Sequence, residues 1–166
     1  MTLDVLLDSD PEWDSSTDWP ALARSAAEAA IAESAFPQLG RNHDVEISVR
    51  LAGDDEVHAL NAQWRGKDRA TNVLSFPMAD MASLESAATR DLMLGDIILA
   101  HGVCAAEAAD QSMPIERHAA HLLVHGTLHL LGCDHMDDKT AADMEERERR
   151  ALARLGIADP YAGQAR

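Results

Sequence analysis

Between Asp44 and Ala52 the run DVEISVRLA sets Val45, Ile47, Val49 and Leu51 at every second position, with polar residues between most of them. Side chains of an extended chain point alternately to opposite faces, so this run predicts a half-buried strand. LDVLLD, beginning at Leu3, alternates more loosely and predicts a short strand closed by the loop residues SDPEWDSS. Leu94 to Ala100 is nearly continuous in apolar residues and predicts a strand covered on both faces. TNVLSF, after the loop GKDRA, is a further short strand; Pro77 removes a backbone donor at its end and suits an edge position.

The intervening segments carry helical signals. Trp19 to Ala35 is alanine-rich, with Asp18 placed as N-cap and Pro20 in the first turn, and it stops near Phe36-Pro37. Gly53-Asp54 turns the chain into a helix containing Val57, Leu60 and Trp64, with Asp54 or Asp55 as cap and Arg65 at its exit. Residues 78–92 show no clean period and predict a surface excursion. His101 to Gln111 predicts a short helix, Pro114 starts another that carries His118, His121, His125 and His129, and a last one runs from Lys139 to Leu155. This order predicts an α+β fold: one domain over residues 1–166, with a small mixed sheet packed against several helices.

A formal charge of −15 argues against broad, nonspecific binding to a polyanion. The charge is uneven, however. Residues 1–40 contain Arg24 as their one base, whereas Arg41, Arg50, Arg65, Lys67 and Arg69 gather within the next thirty positions. This is either a local basic strip or ordinary solvated charge. No stretch approaches the roughly 18 apolar residues that span a bilayer, and the N-terminus lacks a basic, apolar leader, so no membrane association and a cytoplasmic location are expected. Cys104 and Cys133 suit a reducing compartment as free thiols. No glycine loop of the phosphate-cradling type is present, Ser75 lies in no nucleophile elbow, and no nucleotide cofactor is expected.

The chemistry concentrates in HGTLHLLGCDH, His125 to His135. His125 and His129 are four apart and project from one helix face, one turn above the other. Gly132 breaks the helix, as a residue of positive φ just past its C-terminus, and the returning chain can present His135. Three neutral imidazoles make a good site for one divalent ion, zinc by default, and leave a fourth position open, which is a catalytic geometry. The metal site is thus expected at the end of a helix in the C-terminal half. Asp134 is placed to accept a hydrogen bond from a ligand imidazole or to shape the turn. His121, one turn before His125, is expected to pack rather than to ligate, His118 still more so, and His101 is a weak candidate for a general base.

HxxxHxxGxxH is the ligand skeleton of the metzincin proteases, but where those have a glutamate after the first histidine this chain has Gly126. The motif instead resembles the YbeY family of bacterial metal-dependent endoribonucleases, whose hallmark has the form HGxLHLxGxDH. The resemblance extends through Asn61, Arg65, TNVLSFP (71–77) and LGDIIL (94–99), covering residues 44–155. Position 72 is Asn where the family often has Asp, and Cys133 stands where Tyr is common, close enough to the motif for a thiolate to join the ion.

The resemblance implies a metal-dependent, single-strand-preferring endoribonuclease. It would act in ribosomal RNA maturation, at the 3′ end of the small-subunit RNA, and in ribosome quality control, with ribosomal or other assembly proteins as partners. It also implies that His125 serves catalysis as well as metal binding, and that Arg65 is functional: its guanidinium can hold two nonbridging phosphate oxygens. The proton acceptor is open between a substrate phosphate, another carboxylate and the RNA's own 2′-hydroxyl chemistry. Two alternatives stand beside this reading: a metallopeptidase on the same skeleton, and a nonenzymatic assembly factor stabilised by structural zinc.

Overall fold

The alternation in DVEISVRLA becomes strand β2 (Asp44–Ala52), whose Val45, Ile47, Val49 and Leu51 are all buried. In the computed structural model, which describes residues 3–39, 44–86, 91–133 and 137–159, β2 lies at the centre of a four-stranded sheet. β1 (Leu3–Ser9) and β4 (Asp91–Ala100) flank it in parallel, and β3 (Val73–Pro77) closes the other edge antiparallel to β4, giving the order β1-β2-β4-β3. Pro77 therefore ends an edge strand, where its missing N–H disturbs no second neighbour. The architecture is the expected α+β fold with one mixed sheet.

Six helices pack around this sheet among the described residues: α1 (Trp19–Glu33), α2 (Asp54–Arg65), α3 (Met81–Glu85), α4 (His101–Asp110), α5 (Ile115–Leu130) and α6 (Asp138–Arg154). α1, α5 and α6 pack on one another, and α5 lies against β3 and β4. Together they cover the face carrying Val5, Ile47, Val49, Leu94, Ile97 and Leu99, and form the main aliphatic core. A smaller core on the opposite face joins Leu74, Ile98 and Ala100 to Val57 and Leu60 of α2. None of the described helices is long and apolar enough to cross a membrane.

Three details differ from the pattern. β4 begins at Asp91, three residues before Leu94, because a bulge opposite Glu46 and Ile47 shifts the register and hides the alternation. The excursion 78–92 contains α3, five residues capped by Asp80, too short to show a period. Neither Asp54 nor Asp55 caps α2, whose N-cap is Gly53 without a side-chain bond. Asp54 Oδ1 instead accepts from Val103 N at 3.1 Å, in the first turn of α4, where it meets that helix's unpaired donors. Asp18 does cap α1, accepting from Ala21 N.

α5 approaches the sheet closely because residue 126 has no side chain. A Cβ there would lie 3.0 Å from Ile97 Cγ2 and 3.1 Å from the Ser75 hydroxyl. Gly126→Leu should therefore lower stability by about 1–3 kcal/mol in urea denaturation, through overpacking between α5 and the strands.

Candidate metal and phosphate site

The histidines of α5 sit opposite its apolar side. Ala119, Leu122, Leu123, Gly126 and Leu130 are buried, which leaves His125 and His129 looking away from the core at one end of a cleft. Their Nε2 atoms are 3.0 Å apart and their ring centroids 4.5 Å. Two imidazole nitrogens each about 2.0–2.1 Å from one ion at a tetrahedral angle lie about 3.3 Å apart, so the observed pair is set near a bidentate spacing.

The far side of the His125 ring is held. Its Nδ1 bonds to Glu148 of α6, whose second oxygen meets His121 Nε2 at 3.2 Å. Glu148 is 1% exposed. An ionised carboxylate can only accept, so it draws the ring protons to His125 Nδ1 and His121 Nε2 and leaves the His125 Nε2 lone pair aimed into the cleft. The sequence reading missed this residue. Its signal was spacing: Met144, Glu148, Ala151 and Leu152 share the buried stripe of α6, and an acid on such a stripe demands a partner.

His121, expected to pack, bonds to Glu148 and is not among the cleft-lining residues, and His118 is buried with Nε2 at 2.8 Å from Glu107. His101 packs edge-on against Trp13 at 5.1 Å and does not line the cleft. His135 and Asp134 lie outside the described residues. Among the described residues no third donor joins the histidine pair in a metal-binding group. Gly132 has φ +90°, and it closes α5 as anticipated: Cys133 N returns to Leu128 O and Gly132 N to His129 O. Cys133 is half-buried against the core there, and neither cysteine is in a disulfide. Burial, and then Glu107, push the Cys104 thiol up to about 12, so it is not a reactive group near neutral pH.

The cleft encloses about 390 Å³ between the end of α2, the loop after it, β3 and the two histidines. Arg65, Lys67 and Arg69 line it, and none has an ion-pair partner among the described residues. Arg24, Arg50, Arg147, Arg149, Arg150 and Arg154, by contrast, are all in ion pairs. Arg50 in particular serves Asp8, Asp10 and Glu56, with the bonds to Glu56 holding its pKa above the ordinary value. The basic strip is therefore real but shorter than the sequence clustering suggests; Arg50 is spent elsewhere, and Arg41 lies outside the described residues.

Gly66, with φ +68°, turns the chain after α2, and Asn61 Nδ2 donates to Arg69 O at 2.9 Å, folding the basic loop back over the helix. Asn72, at the floor of the cleft, donates to Glu107 Oε1 at 3.1 Å while its own oxygen accepts from Val73 N at 2.7 Å. An aspartate at 72 would set two carboxylates face to face, so asparagine fits the presence of Glu107.

Comparison with known proteins agrees with this geometry. The model of the family described as Endoribonuclease YbeY matches residues 12–156. Among curated relatives named Endoribonuclease YbeY, one from Rhizorhabdus wittichii is 50% identical over 164 residues, covering 96% of this chain and 97% of its own. Another, from Novosphingobium aromaticivorans, is 52% identical over 160 residues, covering 94% of each. The solution structure of TM1509 from Thermotoga maritima is similar in fold, with a TM-score of 0.55 and 22% identity over 99% of this chain and 100% of that one.

Replacing Glu148 removes the acceptor shared by two imidazoles. Glu148→Ala should cost about 1.5–3 kcal/mol in urea denaturation, and Glu148→Gln, which keeps one acceptor and the shape, distinctly less.

Proposed function

This chain belongs to the endoribonuclease YbeY family, and on that premise we propose that the cleft binds single-stranded RNA and cuts it with one divalent ion, zinc by default, held by His125, His129 and His135. The RNA is proposed to be ribosomal, with cutting in maturation of the small-subunit 3′ end and in ribosome quality control. A cytoplasmic location beside ribosomal and assembly proteins is part of the same proposal. One observation carries the reading: three cations without an ion-pair partner among the described residues line one cleft with two converging imidazoles, in an otherwise acidic chain.

When bound, the ion would supply Lewis-acid polarisation of the phosphate and a lower pKa for water. The two described donors fit, since His125 and His129 present Nε2 to one point and Glu148 fixes the first ring from behind. Arg65 would hold two nonbridging oxygens of the scissile phosphate and offset charge as it develops there. Lys67 and Arg69 would neutralise flanking phosphates and set the path of the strand.

The peptidase alternative loses ground to packing. A glutamate at position 126, where the metzincins carry their base, would press its Cβ against Ile97 and Ser75.

Cleavage of a single-stranded ribosomal RNA fragment by highly purified protein tests the proposal. Arg65→Ala should lower kcat/KM by about 10²–10³-fold and His129→Ala at least as much, both folded. Equal cutting by all three preparations would remove the reading, and cyclic-phosphate ends would assign attack to the 2′-hydroxyl. Chelation should leave a folded, inactive protein; unfolding would instead favour the structural-zinc assembly factor. Three phosphate contacts also predict a log–log salt slope for affinity of about −2, reduced by about 0.7 in Lys67→Ala.

A further inference from the structure

Trp64 is an apolar residue that the helix does not bury. Val57, Leu60 and Trp64 follow the spacing of one face, and the first two pack under β3 and β4. Trp64 comes one turn later, at the end of α2, and is 65% exposed. The other two tryptophans, Trp13 and Trp19, are 2% and 3% exposed and pack edge to face on each other. The fold has room for indoles in its core and leaves this one outside.

Its neighbours are those of the cleft. Asn61, three residues earlier on the same helix, and Arg65, the next residue, both line it. The exposed apolar side chains at the opposite end have a similar setting: Met78 follows the cleft residue Pro77, and Met81 lies against Gly132, just beyond His129. Three of the four large exposed apolar side chains among the described residues therefore stand at the ends of the cleft lined by Arg65, Lys67 and Arg69; the fourth, Leu6, is on β1. A ligand that is anionic along its backbone and apolar on the faces of its side groups matches both properties, and unpaired nucleic acid bases are such groups.

We propose that Trp64 is a stacking platform for a base of the single-stranded substrate, flanking the scissile phosphate on the Arg65 side of the cleft. The inference rests on the cleft being an RNA site and adds a reason for the single-strand preference. A base in a duplex is already stacked on both faces and offers none to the indole, whereas a splayed base does. Trp64 acts in binding and register, and takes no part in the reacting bonds.

The test uses the full chain and a short, unstructured 2′-O-methyl oligoribonucleotide. Because Trp13 and Trp19 are buried, the oligonucleotide should quench the exposed, iodide-accessible part of the tryptophan emission and shield it from iodide. Trp64→Leu should lose that quenching and raise Kd, and KM for cleavable single strands, by about tenfold, with kcat changed less than about twofold. Trp64→Phe, which keeps a ring, should recover most of the affinity, and duplex of the same sequence should bind all three proteins alike. If Trp64→Leu binds and cuts like the unaltered protein while Arg65→Ala is inactive, the RNA site stands and the stacking platform is overturned. If the unaltered protein neither binds the oligonucleotide nor cuts RNA, both readings fall together.

Discussion

The bond between Glu148 and the Nδ1 of His125 is the interaction on which the site depends. It joins two successive helices, α5 and α6, through a carboxylate that is 1% exposed. A carboxylate at that depth is costly unless both oxygens are occupied, and here one meets His125 and the other His121. The same arrangement decides the chemistry on the other side of the ring. With Nδ1 committed as donor, the Nε2 lone pair of His125 points at His129 Nε2 across 3.0 Å. Only one proton, or one ion, can lie between two such nitrogens, so core packing and ligand readiness are settled by a single buried acid.

A second constraint is the close passage of α5 over the sheet. The helix has to bury Leu122, Leu123 and Leu130 while holding two imidazoles at the rim of a cleft that β3 helps to form. A side chain at 126 would lift it from Ile97 and Ser75 and carry His125 and His129 with it. The glycine that separates this motif from the peptidases thus serves close packing as well as being the absence of a base. A larger side chain at that position would press on the strand residues beneath the helix.

Much of this was legible in the sequence, and the residues show why. β2 was readable to its ends because its period survives intact, and the HxxxH spacing on α5, with Gly132 after it, is purely local geometry. What escaped depends on contacts distant in sequence. Asp54 looks like the cap of the helix it begins but serves Val103, 49 residues on. Glu148 sits in the run EERERR and looks like solvated charge until the buried stripe of α6 is laid against α5. The bulge in β4 moves a strand boundary without changing composition at all.

The distribution of charge carries the same lesson further. Arg50 and Arg65 are equivalent in a reading of local composition, yet Arg50 is neutralised by Asp8, Asp10 and Glu56, whereas Arg65 meets no carboxylate among the described residues. In a chain of formal charge −15 the long-range field repels a polyanion, and association must depend on the short-range field of a few uncompensated cations. Three cations hold a backbone weakly and without register. A site with so little charge gains from a contact that salt does not screen, and the exposed indole beside Arg65 is the group in the cleft's surroundings best suited to provide one.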